Sequence, residues 1–211
     1  GRTLASSGSN WVIRLWETVG PSKEVSRKRR LVNSARRILD ERAKTTPFAS
    51  DLVASLRQDA ALESAVRDTA IQIAETRGDD PNALLASCQA ILRNLDADQN
   101  SLQLALRQIE TAAAILTDDV MIYWMLGLAR LRNGKLAEAV DASDRSNQLA
   151  QEQFKNDSAA ALLVKAMAHF RLGATEQARS TYTQAQALPP SNIDPPADLK
   201  LVAQLAEQVI R

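Results

Sequence analysis

Apolar and small residues recur at helical spacing through most of this 211-residue chain, so the pattern predicts helices rather than strands. It is sharpest from Tyr123 to Leu149. Tyr123, Leu126, Gly127 and Leu131 share one helix, and Ala139, Val140, Ser143 and Ser146 a second, with Asn133-Gly134 between them. A glycine inside a helix costs about 0.5–1 kcal/mol relative to alanine. Gly127 is therefore sensible only where another helix backbone comes close, and Ala139 and Ala142 serve the partner helix in the same way. One such hairpin cannot bury its own apolar face, so its neighbours should repeat the design.

The rest of the chain follows suit. Residues 1–9 read as a flexible leader, and Trp11 to Trp16 as a short apolar helix presenting Val12, Leu15 and Trp16 on one face. Residues 22–44 form a long helix striped by Val25, Val32, Ala35 and Leu39. Two shorter helices are expected at 48–57 and 61–76, with Asp59 as the cap of the second. Asp79-Asp80-Pro81 is a strong helix start. It opens a helix through Leu84, Leu85, Cys88 and Leu92, whose partner carries Leu102, Ala105, Ile109 and Ala112 after a long inner turn, LRNLDADQNS. A third pair holds Leu162, Ala166, Gly173, Ala178, Tyr182 and Ala185. Gly134 and Gly173 lie 39 residues apart, an excess assigned to a polar linker, QEQFKNDSA. A last helix carries Leu199, Val202, Ala203, Ala206 and Val209 on one face and suits a terminal cap.

Composition narrows the class. Aromatic residues are 4% and the single cysteine, Cys88, excludes an internal disulfide and suits a reducing compartment. The chain has no apolar run long enough to span a membrane. It opens GRTLASSGSN, without an initiating Met or an apolar signal region, which reads as a fragment of a longer, cytoplasmic protein. The net charge of +1 conceals an asymmetry: residues 1–50 carry eleven Lys/Arg against four Asp/Glu, the remainder fifteen against twenty-one. Arg27, Lys28, Arg29, Arg30, Arg36 and Arg37 concentrate that charge on the long helix. They make a candidate patch for nucleic acid or an anionic surface, against the plainer reading of a solvated face steered toward the acidic repeats. Interleaved aromatics and a DNA-binding motif are missing, which disfavours nucleic acid.

The segments SLRQDAALESAVRDTAIQIAE, NALLASCQAILRN, YWMLGLARLRNGKLAEAV and KAMAHFRLGATEQAR, in this order and spacing, resemble the tetratricopeptide-repeat (TPR) region that follows the kinase domain in large bacterial serine/threonine kinases. Related regions follow other modules, β-propellers of the WD40 class included. The resemblance covers roughly 48–190, and its most specific part is AMAHFRLG. Arg130, Ser143 and Lys165 depart from the repeat pattern, as does the spacing of 39 against the usual 34. The resemblance implies an all-α, α-α superhelix (a TPR-like solenoid), and the residue pattern divides the chain into a flexible leader with a short apolar helix at 1–20, a helical extension at 21–78, three hairpins at 79–190 and a capping helix at 191–211. The kinase signatures themselves, Gly-rich loop, HRD and DFG, are absent from these residues.

No enzyme chemistry is nominated. Asp79-Asp80 and Asp118-Asp119 precede helices, where acids cap free N–H groups. His169 and Cys88 stand 81 positions apart, which predicts neither a metal site nor a cofactor site. His169 falls at a packing position. In repeats of this kind the first helices line a groove, here with Trp124, Leu128, Leu131 and Arg132, then Leu163, Met167, Phe170 and Arg171. The family variant that clamps a C-terminal carboxylate uses Lys and Asn at such positions. These apolar residues point instead to an apolar helix or extended segment oriented by Arg132 and Arg171. The expected partner is a protein, a peptide or another domain of the parent chain. The groove could equally be filled by this chain itself, through Trp11–Trp16 or the helix at 196–210.

Overall fold

A computed structural model describes residues 2–7, 13–18, 22–189 and 196–210. Among them are ten α-helices and one antiparallel strand pair. The chain divides into two compact units, Gly1–Gly78 and Asp79–Arg211.

The first unit opens with β1 (Arg2–Ser7) and β2 (Ile13–Thr18), registered so that Arg2 faces Thr18 and Ser7 faces Ile13. This corrects the sequence reading twice: 2–7 is a strand rather than a loose leader, and 13–18 a strand rather than a helix. Trp11 and Val12 lie outside the described residues. A short, largely apolar run satisfies either period, and its pairing with the segment five residues before it decides for the strand. Helix α1 (Lys23–Ala43) is capped by Ser22, whose Oγ accepts the Val25 N–H at 3.2 Å. It packs with α2 (Ala49–Gln58) and α3 (Ser64–Arg77) around Ala35, Leu39, Leu52, Val53, Leu56 and Ala70. Val25, expected on the buried stripe, is 42% exposed. Asp59 does not cap α3. It pairs with Arg42 and accepts the Ala61 N–H at 2.9 Å, and both contacts hold its carboxyl below the ordinary range.

The second unit is a stack of helical hairpins: α4 (Pro81–Arg93) with α5 (Gln99–Ile115), α6 (Val120–Arg132) with α7 (Leu136–Phe154), and α8 (Ala159–Arg171) with α9 (Thr175–Ala187). The first helices carry their N-caps at Asp80, Asp119 and Ser158, a constant spacing of 39. Each cap side chain accepts backbone N–H groups of the first turn, as Asp119 does from Met121 and Ile122 at 2.8 and 3.2 Å. The small positions Cys88, Gly127 and Ala166 keep the same spacing and are buried. A Cβ on Gly127 would stand 2.9 Å from Ser143 Oγ, 3.2 Å from Val164 Cγ1 and 3.3 Å from the Ala139 carbonyl. The expected close approach is therefore present, and two helices share it. α6 ends in a Schellman turn, with Lys135 N–H on the Arg130 carbonyl (2.9 Å), Gly134 N–H on that of Leu131 (3.1 Å) and Gly134 at φ +77°. α8 repeats it through Ala174, Gly173 (φ +83°), His169 and Phe170.

The excess over the usual spacing is only partly a linker, residues 155–158 between α7 and α8. Residues 151–154 continue α7, and the lengthened second helices α5 and α7 absorb the rest. α10 (Pro196–Ile210) does not close the stack end-on behind α9. It packs mainly on α8 and reaches α4, where Asp198 is bound. It therefore lies across the face formed by the three first helices.

Candidate functional site

The 39-residue repeat aligns the face that α10 covers. Leu85, Trp124 and Leu163 occupy one level, and Gln89, Leu128 and Met167 the next. Leu92, Leu131 and Phe170 follow, then Arg93, Arg132 and Arg171. The face is apolar except at Gln89 and the arginines, and the same spacing brings all the proposed groove residues to it.

It is not open. Trp124, Leu128, Leu131, Leu163 and Met167 are each at most 4% exposed, and Phe170 is half-buried. α10 lays Leu201 and Val202 against Trp124, Met125 and Leu128, leaving about 10 Å³ between them, room for no more than about one water molecule. Of the occupants the sequence left open, the chain's own helix at 196–210 covers this face, so it is not a free partner surface. The cause lies in the apolar stripe of α10, which gains more from the face of three helices than from the end of one.

The two arginines expected to orient a partner are also committed. Arg132 Nη1 donates to the Leu92 and Asn94 carbonyls, and Nη2 to that of Leu95, all at 3.0 Å. Arg171 Nη1 donates to the Leu131 carbonyl at 2.9 Å. Each satisfies carbonyls at the C-terminus of the preceding first helix, where the dipole favours a cation. Burial pulls the Arg132 pKa below its ordinary value. The third member of the series, Arg93, has no preceding hairpin. Its Nε donates to Asp198 Oδ1 at 2.6 Å, and Gln89 Nε2 donates to Oδ2 at 2.6 Å. Asp198, 2% exposed, is a buried acid held on both oxygens, and the contact raises the Arg93 pKa.

Asp198, Gln89 and Arg93 escaped the sequence reading. The available signal was Asp198 standing one turn before Val202 and Ala206 on the apolar side of α10, and Gln89 interrupting an otherwise apolar level. The Trp124 indole N–H, buried in the same face, finds no acceptor among the described residues.

The remaining chemistry is structural. Burial drives the Cys88 thiol up to about 12, far from a reactive thiolate. His169 is half-buried near Lys165, which pairs with Asp144 across an open depression of about 420 Å³ that also includes Ser180 and Thr181. Among the described residues no cluster of three metal-ligating side chains occurs, and no helix is long and apolar enough to cross a membrane. On α1, Arg27, Lys28, Arg29, Arg30, Arg36 and Arg37 are all exposed. None takes part in an ion pair or hydrogen bond among the described residues. Comparison with protein-family models gives no match, and the search of curated proteins finds no significant relative.

Proposed function

We propose that the chain is a non-catalytic interaction module of a larger cytoplasmic signalling protein, a short TPR-like solenoid that binds helices on its first-helix face. The observation that carries this reading is the common 39-residue register of cap, small contact residue and terminal arginine through the three first helices. Stacked repeats of this kind present one continuous surface, and an amphipathic helix laid across it is a recurrent recognition mode. The seating of α10 supports that mode over an extended peptide.

The resemblance allows more than one parent. β1 and β2 form an antiparallel pair ahead of the helices, as propeller blades do, and Trp16-Glu17 on β2 stands close to the Trp-Asp pair of WD40 blades. This favours a propeller-bearing parent over a kinase. The full-length sequence should then carry strand repeats of about 40–45 residues; a kinase domain in their place would overturn the assignment. The interaction role itself is tested with a photoreactive amino acid at Phe170, the half-buried apolar member of that face. Cross-links to another polypeptide, or to another domain of the parent, are expected. Cross-links confined to this chain would refute the role.

The cations of α1, exposed and without an ion-pair partner among the described residues, favour a second reading, attraction to a polyanion. It predicts salt-dependent binding to nucleic acid or anionic vesicles that disappears when Arg29, Arg30, Arg36 and Arg37 are replaced by Glu. Absence of binding at low salt would dismiss it.

A further inference from the structure

The first three turns of α1 carry charge without taking part in the core. Residues 23–34 include no fully buried side chain, and the first in the helix is Ala35. Ser26, Leu31 and Val32 are half-buried and the others exposed, Val25 by 42%. These turns hold Lys23, Arg27, Lys28, Arg29 and Arg30 against a single acid, Glu24. Successive helix positions stand about 100° apart, so Arg27 to Arg30 surround the helix. Lys28 and Arg30, two positions apart, lie on nearly opposite sides. Arg36 and Arg37 follow Arg29 and Arg30 by two turns, about 10 Å further along, off the side that Ala35 and Leu39 bury. Among the described residues Arg27 to Arg30, Arg36 and Arg37 make no ion pair or hydrogen bond.

Cations on every side of a helix distinguish between the anions it can meet. A flat anionic surface reaches one side and leaves the opposite cations in water. A groove walled by phosphates reaches both. The major groove of B-form DNA is about 12 Å wide, which matches an α-helix with its side chains, about 10–12 Å across. Five of the six cations are arginines, whose planar forks fit phosphate oxygens in pairs. Interleaved aromatics, which this helix lacks, serve to stack the bases of single strands. A duplex has its bases stacked already and is held through its phosphates.

We propose that the first three turns of α1 enter the major groove of duplex DNA and bind the backbone on both sides of it, without reading base sequence. Arg36 and Arg37 extend the contact along one strand. The proposal rests on the attraction of α1 to polyanions and names which polyanion.

The test measures binding of the full chain to a labelled DNA duplex of about two helical turns across a salt series. Affinity should fall steeply with salt, and Lys28→Gln and Arg30→Gln should each reduce the slope of log K against log salt by about 0.9. Both side chains are exposed, so neither change disturbs the core. If either variant leaves the slope as it was, only one side of the helix meets DNA and the groove seating is wrong. Duplex RNA of the same sequence has a major groove too deep and narrow for side chains to read. It should bind about tenfold more weakly or worse, and equal affinity would overturn the proposal. Phosphatidylserine vesicles bound in preference to the DNA duplex would overturn it too, while leaving the attraction to polyanions intact. Failure to bind DNA, RNA or vesicles at low salt would end both.

Discussion

At the scale of the residue, two positions set limits that chemistry alone can test. Gly127 is enclosed by Ser143 Oγ, Val164 Cγ1 and the Ala139 carbonyl, all within 3.3 Å of where a Cβ would stand. Alanine there gains helix propensity of up to about 1 kcal/mol, while overpacking costs about 1–3 kcal/mol. The carbonyl belongs to a backbone and cannot turn aside, so Gly127→Ala should destabilise the second unit. Ser143 Oγ donates only within its own helix, to Ala139 at 2.9 Å. Gly127→Ala with Ser143→Ala should therefore recover part of the loss in thermal or urea unfolding, and additive effects would show that the serine is not the obstacle. His169 supplies a pH test. Burial, then the Lys165 charge, hold its pKa below the ordinary 6.5, with Asp144 opposing them. The unfolded chain then binds this proton more readily than the folded one. The histidine's contribution is present above pH 6.5 and is lost as pH falls through its lower folded value. His169→Gln should flatten that part of the stability–pH curve; an unchanged slope would assign it to other groups.

At the scale of the element, Arg132 is the strongest joint in the stack. Its guanidinium satisfies three carbonyls at the end of α4 from a position on α6, which an ammonium cannot do in the same geometry. Arg132→Ala should cost about 1.5–3 kcal/mol, the range for hydrogen bonds to a charged group, and Arg132→Lys should recover little. Arg171→Ala, losing one bond to Leu131, should cost less. Thermal melts of the three variants check the order, and equal losses would sink it. The arginines also show where the sequence stops being legible. Caps, turns and small positions are local, and Asp80, Asp119, Gly127 and Gly134 could be assigned from neighbours along the chain. Arg132 and Arg171 were rightly placed on the first helices but given to a partner, because a periodic pattern names a face without naming its contacts. The same limit left two destinations open for α10, whose stripe suits an end cap and a groove equally. Asp198 broke that stripe, and a buried acid needs donors. Its partners Gln89 and Arg93 lie more than a hundred residues away, where no local rule reaches.

At the scale of the whole molecule, burial is graded, and opening should follow the gradient. In the second unit α6 and α8 bury almost every position through their middle turns, including Trp124, Met125, Leu128, Leu163 and Met167. α10 fully buries three residues, one of them a charged group. Helices with few buried contacts open at lower free energy than the core they cover. Amides of α6 and α8 should therefore exchange slowest in the second unit, and those of α10 earlier and as a group. Asp198→Ala sharpens the contrast. It removes both contacts to α4 while leaving the apolar stripe intact, and the Arg93 side chain, 47% exposed, can turn to water. The loss of a charge-assisted pair, about 1.5–3 kcal/mol, should speed α10 exchange about tenfold or more with α6 to α9 unchanged. Uniform acceleration of every helix would mean that α10 is a structural part of the core. Acceleration confined to α10 would mark it as a separable occupant, the property on which recognition of any outside helix at this face depends.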